Sequence, residues 1–301
     1  MIRLALLVAL ALLSAPASAA PRCPPEIRVM TYNIRLDTPA DGPNRWNLRR
    51  DLLVSQLHLL RPDIMGFQEV VPGQLADLEA ALPGHARIGG GRDGDGTAGE
   101  ASPLFVSRAA FSVRASGQFW LSPTPDKTSR GWAAAFPRIV SFAHLQRRVD
   151  RARVLVLNTH WDHVGKQARL ESARQIARWI AANRQRSEAV IVLGDFNAEL
   201  TEPSLAALLA EGRLTDTRAA AGQHAQGTAI TFNAFNPVPA TGGVIDHVLV
   251  GPHVRVRRWH ALAEHFGGRV ASDHFPVIAD LLFARGGNAS NPAFTACQGG
   301  D

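Results

Sequence analysis

Val190-Ile-Val-Leu-Gly-Asp-Phe-Asn197 is the stretch whose reading decides the fold. Four β-branched or aliphatic residues running into a glycine predict a buried strand, and Asp195 and Asn197 stand where it leaves its sheet. In extended backbone, residues two apart project to the same side, so this carboxylate and carboxamide can converge on one small ligand or water. Taken alone, Gly-Asp better suits an Asx turn closing a strand. The rest of the chain decides between the two.

Upstream, Glu26-Ile-Arg-Val-Met-Thr-Tyr-Asn33 alternates into a strand that delivers Asn33 at its end. Leu53, Val54, Leu57 and Leu60 keep helical spacing over 47–60, and Arg61-Pro62 stops that helix. Asp63-Ile-Met-Gly-Phe-Gln-Glu69 is another apolar run ending on a charge, and Pro72 opens a helix through Leu82. Strand, helix, strand, helix, with polar residues at strand ends, is an α/β pattern carrying its site along one sheet rim.

Glycine-rich 89–99 reads as a flexible loop, and Glu100 starts the ordered segment behind it. Residues 104–113 read as a hairpin and 119–121 as a short strand. The runs 139–147 and 153–159 make a second hairpin, followed directly by His160-Trp-Asp-His163. A long amphipathic helix over 167–183 leads into the Val190 strand. Beyond it come a helix over 202–209 and strands over 228–232, 244–250 and 275–283, with Ser272-Asp273-His274 just before the last. No internal repeat or linker divides the sequence.

The charged start Met1-Ile-Arg3, the apolar run 4–13 and the small residues 14–20 match a secretory signal cut after Ala19 or Ala20. The run is too short to span a bilayer. Residues 21–301 are therefore expected to form one large domain, secreted or periplasmic, without stable membrane insertion. Cys23 and Cys297 lie near the two ends of the mature chain. In an oxidising compartment they could pair, which the sequence leaves open. The net charge of +6 is carried almost entirely by arginine, with Lys127 and Lys166 as the lysines. Arginine suits an anionic substrate, although a compositional bias of the genome explains the excess more simply.

Asn33, Glu69, His160, Asp195, Asn197, Asp246, Asp273 and His274 all fall at strand ends. Oxygen-rich ligands without cysteine favour Mg²⁺ or Mn²⁺ over zinc. Such an ion polarises a phosphoryl oxygen, and histidine beside it supplies proton transfer.

Six motifs in order carry a resemblance: Thr31-Tyr-Asn33, Phe67-Gln-Glu69, Asn158-Thr-His160, Gly194-Asp-Phe-Asn197, Ile245-Asp246 and Ser272-Asp-His274. With them the sequence resembles the endonuclease/exonuclease/phosphatase superfamily, the fold of pancreatic-type DNases, sphingomyelinases and inositol phosphatases. That resemblance implies a four-layer α/β sandwich (DNase-I-like), with two packed mixed β-sheets flanked by helices. It implies Glu69 as the principal metal ligand, with Asn33 and Asp273 near the ion or holding its waters. Asp195 and Asn197 would orient the nucleophilic water, and Asp246 and His274 would form a carboxylate-histidine pair. His160 would stabilise the transition state, oriented by Glu100. Arg130 and Arg138 could clamp phosphate, with His163 beside them, or serve structure. Trp132 and Trp161 are expected to pack in the interior.

The implied activity is metal-dependent hydrolysis of a phosphodiester or phosphomonoester by direct attack of water. The substrate would be a nucleic acid, a phospholipid or a sugar phosphate, with a nuclease the leading subclass and a lipid or sugar phosphodiesterase close behind it, and the protein a monomer. A secreted binding protein that kept the fold and lost catalysis is the alternative from another class. The intact residue set argues against it.

Overall fold

Two mixed sheets lie face to face across a layer of aliphatic side chains, in a computed structural model that describes residues 26–283. The stretch expected to be an export signal and both cysteines lie outside the described residues. The first sheet orders its seven strands as Ala225–Gly227, Val254–Ala261, Val277–Phe283, Ile27–Asn33, Ile64–Gln68, Leu104–Ser107 and His85–Ile88. The second has six: Thr215–Asp216, Asp246–Val250, Ala189–Asp195, Arg153–His160, Ile139–Arg147 and Phe111–Trp120. Ile27–Asn33 runs parallel to Ile64–Gln68, as Ala189–Asp195 does to Arg153–His160; their other pairings are antiparallel.

Central strands buried on both faces need unbroken apolar runs, which is why Val190 to Leu193 shows no alternation. Ile191 and Leu193 face the other sheet, meeting Val29, Ile64 and Val277. Val190 and Val192 face outward beneath the helices Lys166–Asn183 and Pro203–Gly212, which bury Ile176, Ile180, Leu205 and Leu208. On the far side Met30, Tyr32, Met65 and Phe67 are covered by the helices Trp46–Leu60 and Pro72–Ala81 through Leu53, Leu57 and Leu78. These are the four layers expected. Among the described residues no helix is long and apolar enough to cross a membrane.

A polar bolt joins the sheets just below the strand ends. Gln68 Nε2 donates to Asn158 Oδ1 at 2.7 Å, and Asn158 Nδ2 donates to the carbonyls of Phe67 (2.8 Å) and Pro103 (3.0 Å). The approach requires glycine at 66, where a Cβ would stand 1.9 Å from Leu193 Cδ1 and 2.6 Å from Asn158 Oδ1. Gly66→Ala must push the sheets apart or break the bolt, and is expected to destabilise the fold by about 3 kcal/mol. Urea unfolding measures this, and an unchanged midpoint would contradict the tight approach.

Several local expectations are corrected. Segment 89–99 is no loop: Gly91–Asp93 and Ala98–Ala101 pair antiparallel around the turn Gly94–Gly96. Glycine is required at 91, where a Cβ would stand 1.9 Å from the Ala98 carbonyl oxygen. Residues 104–113 do not form a hairpin. Leu104–Ser107 belongs to the first sheet, while Phe111–Trp120 edges the second and absorbs the short strand expected at 119–121. Nor is 228–232 a strand. It makes a single bridge, Phe232 with His274, because Thr231 Oγ1 accepts the amides of Ile245 and Asp246 instead. Val254–Ala261 is a strand unforeseen, its half-buried Val and Arg residues alternating without an apolar run.

Candidate active site

Strand register brings the polar ends together. Asp195 pairs with His160 on one side and with Asp246 on the other, while Asn33 pairs with Gln68, one residue before Glu69. Glu69 and Asn197 both leave their strands with left-handed backbone, at φ 61° and 47°. Non-glycine residues adopt that conformation only where the surroundings enforce it. At Asn197 the enforcing contacts are its amide N donating to Asp195 Oδ1 (2.9 Å) and its Nδ2 donating to the Trp161 carbonyl (3.0 Å). Asp195 and Asn197 therefore converge through this turn and not through extended backbone.

The buried Asp195 carboxylate is the hub. Its Oδ2 accepts from Asn33 Nδ2 (3.0 Å) and lies 3.5 Å from His160 Nε2 and 3.7 Å from His274 Nε2. Behind His274, Nδ1 is 2.8 Å from Asp246 Oδ2. Burial and the Asp246 charge push the Asp195 carboxyl up to about 7, against the pull of His274. For His274, burial disfavours the charge, but Asp246 and Asp195 outweigh it and hold the imidazole well above its ordinary range. His160 goes the other way, pushed well below that range by burial and then by Arg138. At neutral pH the site thus holds a cationic His274 and a neutral His160.

Asn33 is a bridge. Its Nδ2 donates to Glu69 Oε1 as well as to Asp195, and its Oδ1 accepts the Arg35 amide at 3.0 Å. It thereby orients both carboxylates, beside the place expected for the ion. Glu69 and Asp273 remain as oxygen donors; burial and then the Glu69 charge push the Asp273 carboxyl up. A buried and a half-buried carboxylate repelling each other suit a hard divalent cation. Asp195, Asp246 and His274 form a second group whose potential ligand atoms lie within 4.8 Å of one another.

Glu69, His160, Asp195, Asn197, Asp273 and His274 line a cleft of about 620 Å³. With the sandwich and this constellation in place, the decisive comparison is the family model for the endonuclease/exonuclease/phosphatase family, which matches residues 30–274. The chain belongs to that family. Family members are phosphoester hydrolases. Among solved structures, the mannosyl-6-phosphatase of Bacteroides thetaiotaomicron VPI-5482 is 35% identical, with 85% of this chain and 100% of that one covered at a TM-score of 0.79. A family member from Bacteroides vulgatus is also 35% identical, covering 86% and 100% at a TM-score of 0.82. Another from Bacteroides thetaiotaomicron is 34% identical, covering 87% and 100% at 0.81. No curated protein matches the chain.

Within this family framework the peripheral residues sort differently from expectation. Glu100 makes no hydrogen bond to His160 among the described residues: both its oxygens accept from Arg92, at 2.6 and 3.1 Å. Arg130 is exposed, outside the cleft lining, and donates to the Ala135 carbonyl at 3.4 Å. Arg138 is buried in the cleft wall beside Asp162 (3.6 Å), with Nη2 3.1 Å from His163 Nδ1. A guanidinium only donates, so in this contact His163 Nδ1 is the acceptor. His163 sits at the rim, stacked on Phe136. Trp161 is wholly buried against Phe196, and Trp132 packs against the helix-side core, as expected.

Sequence reading missed Arg35, Asp41, Arg92, Phe136, Phe232 and Phe235, all lining the cleft. Arg35 is held bidentately by Asp41, at 3.0 Å for each bond, and stands 3.7 Å from Glu69 and 3.8 Å from Asp273. Its position two residues after Asn33 was the available signal.

Proposed function

We propose that the chain is an exported, metal-dependent phosphatase that removes phosphate from a phosphorylated sugar by direct attack of water. The observation that carries the hydrolytic reading is Asp195 set within 3.7 Å of both His160 and His274, with Asp246 behind the latter. The substrate class rests on the relative named a mannosyl-6-phosphatase, whose whole chain is covered.

Glu69 and Asp273 would hold Mg²⁺ or Mn²⁺, which when bound polarises a phosphoryl oxygen and neutralises developing charge. The protein's own groups account for the rest. Asp195, with its carboxyl raised to about 7, takes a proton from the attacking water. The water oxygen bonds to phosphorus as the ester P–O bond breaks; solvent water protonates the released alkoxide to the alcohol, and the hydroxide so formed takes up the proton that Asp195 gives back. Cationic His274 donates from Nε2 to a non-bridging oxygen, its ring fixed through Nδ1 by Asp246. Neutral His160 offers a further ring N–H, and Arg138 beside it adds positive charge facing the phosphate.

The test is an assay of purified protein, with Mg²⁺ and with Mn²⁺, against hexose phosphates, DNA, RNA and sphingomyelin. Phosphate release from a hexose phosphate is expected, reduced at least a hundredfold by EDTA and restored by added metal. Preferential cleavage of DNA or sphingomyelin would overturn the substrate class, and turnover of none would favour a binding protein.

A further inference from the structure

Arg49, in the first turn of the helix Trp46–Leu60, is 1% exposed. Its guanidinium reaches four backbone carbonyls on three segments. Nε donates to Asn44 at 2.8 Å, Nη1 to Ile34 and to Ala271 (3.0 Å), and Nη2 to Arg35 at 2.6 Å. Trp46 and Phe235 flank it, with ring centroids 5.1 and 5.6 Å from Cζ. All these acceptors are neutral carbonyls. Burying a cation on such partners is costly, and an apolar side chain would fill a helix face at less expense.

The carbonyls it gathers explain the cost. Ile34 and Arg35 directly follow Asn33, and Ala271 stands two residues before Asp273. Ser272 Oγ donates to the Asn33 carbonyl at 2.7 Å, adding a second tie between the same segments. Asn33 in turn donates to Glu69. One planar fork thus bolts the segment that orients Glu69 to the segment that carries Asp273. Lysine, with a single ammonium on a flexible stem, cannot span the same acceptors.

We propose that Arg49 is the positioning residue that sets the spacing of Glu69 and Asp273 and so tunes their affinity for a divalent cation. The idea rests on the metal-dependent reading above and is tested by binding, without turnover. Mn²⁺ is titrated into the purified full chain and free Mn²⁺ followed by electron paramagnetic resonance; loss of binding in Glu69→Gln assigns the titrated site. Arg49→Met is expected to weaken Mn²⁺ at least tenfold, and Arg49→Lys by an intermediate factor. Leu53→Ala, one turn along the same helix and wholly buried, is expected to lower the melting temperature yet keep the affinity within twofold.

A folded Arg49→Met that binds Mn²⁺ like wild type would overturn the proposal, as would Leu53→Ala weakening it equally. Failure of both Arg49 variants to fold, with Leu53→Ala folded, would overturn it too, by making Arg49 a residue of folding alone. Wild-type protein that binds no Mn²⁺ would instead strike down the metal-dependent reading itself.

Discussion

Asp195→Ala is expected to lower kcat for phosphate release at least a thousandfold, a rise of about 4 kcal/mol in the barrier. Two losses combine in that figure. The variant removes the group placed to take the proton of water, and it removes the charge on which Asn33, His160 and His274 converge. Stability should respond less than it does to most core substitutions. Burial raises the folded-state carboxyl to about 7, above its unfolded value, so the folded chain binds the proton more tightly. Stability therefore falls as pH rises from the ordinary carboxylate range to about 7, and above that Asp195 is a net cost to the fold. Removing it relieves repulsion with Asp246 and offsets the small cavity. At pH 8 the melting temperature should stay within about 4 °C of wild type. Steady-state kinetics with a parallel melt decide the matter: a folded variant retaining a tenth of the wild-type kcat would remove Asp195 from the proton-transfer role.

The architecture was legible because its central strands advertise themselves. Val190 to Leu193 and Ile64 to Phe67 are apolar on both faces because helices cover one side and the other sheet covers the other. Where each run stops, a polar residue marks the rim. Left-handed backbone at Glu69 left no such mark, and at Asn197 the local bond to Asp195 is joined by a contact to the Trp161 carbonyl that only the fold supplies. The same limit applied to arginines. Arg130 and Arg138 look equivalent in sequence, yet tertiary packing buries one beside Asp162 and leaves the other in solvent. The Arg92 partner of Glu100 stayed hidden for a related reason: it lies across a ribbon whose glycines disguised it as a loop.

Asp246→Asn separates the electrostatic part of the site from its shape. The amide keeps the size of the carboxylate and an oxygen for the Nδ1–H of His274, but removes the charge. That charge has little else to balance it, since Asp246 Oδ1 is buried without a hydrogen-bond partner. In the wild type, Asp246 and Asp195 overcome the burial that would otherwise keep His274 neutral. With Asp246 neutral, burial gains on the remaining carboxylate, and the imidazolium releases its proton at lower pH. Asp195 moves the same way, because the Asp246 charge helps to raise it. Both limbs of the bell-shaped pH–rate profile should therefore shift towards acid, each reporting the coupled set of groups. The maximal kcat should fall by about a hundredfold or more as the fixed orientation and charge of the ring are weakened. A comparable fall in rate with both limbs unmoved would mean that Asp246 acts through shape alone, and would reassign the cationic role now given to His274.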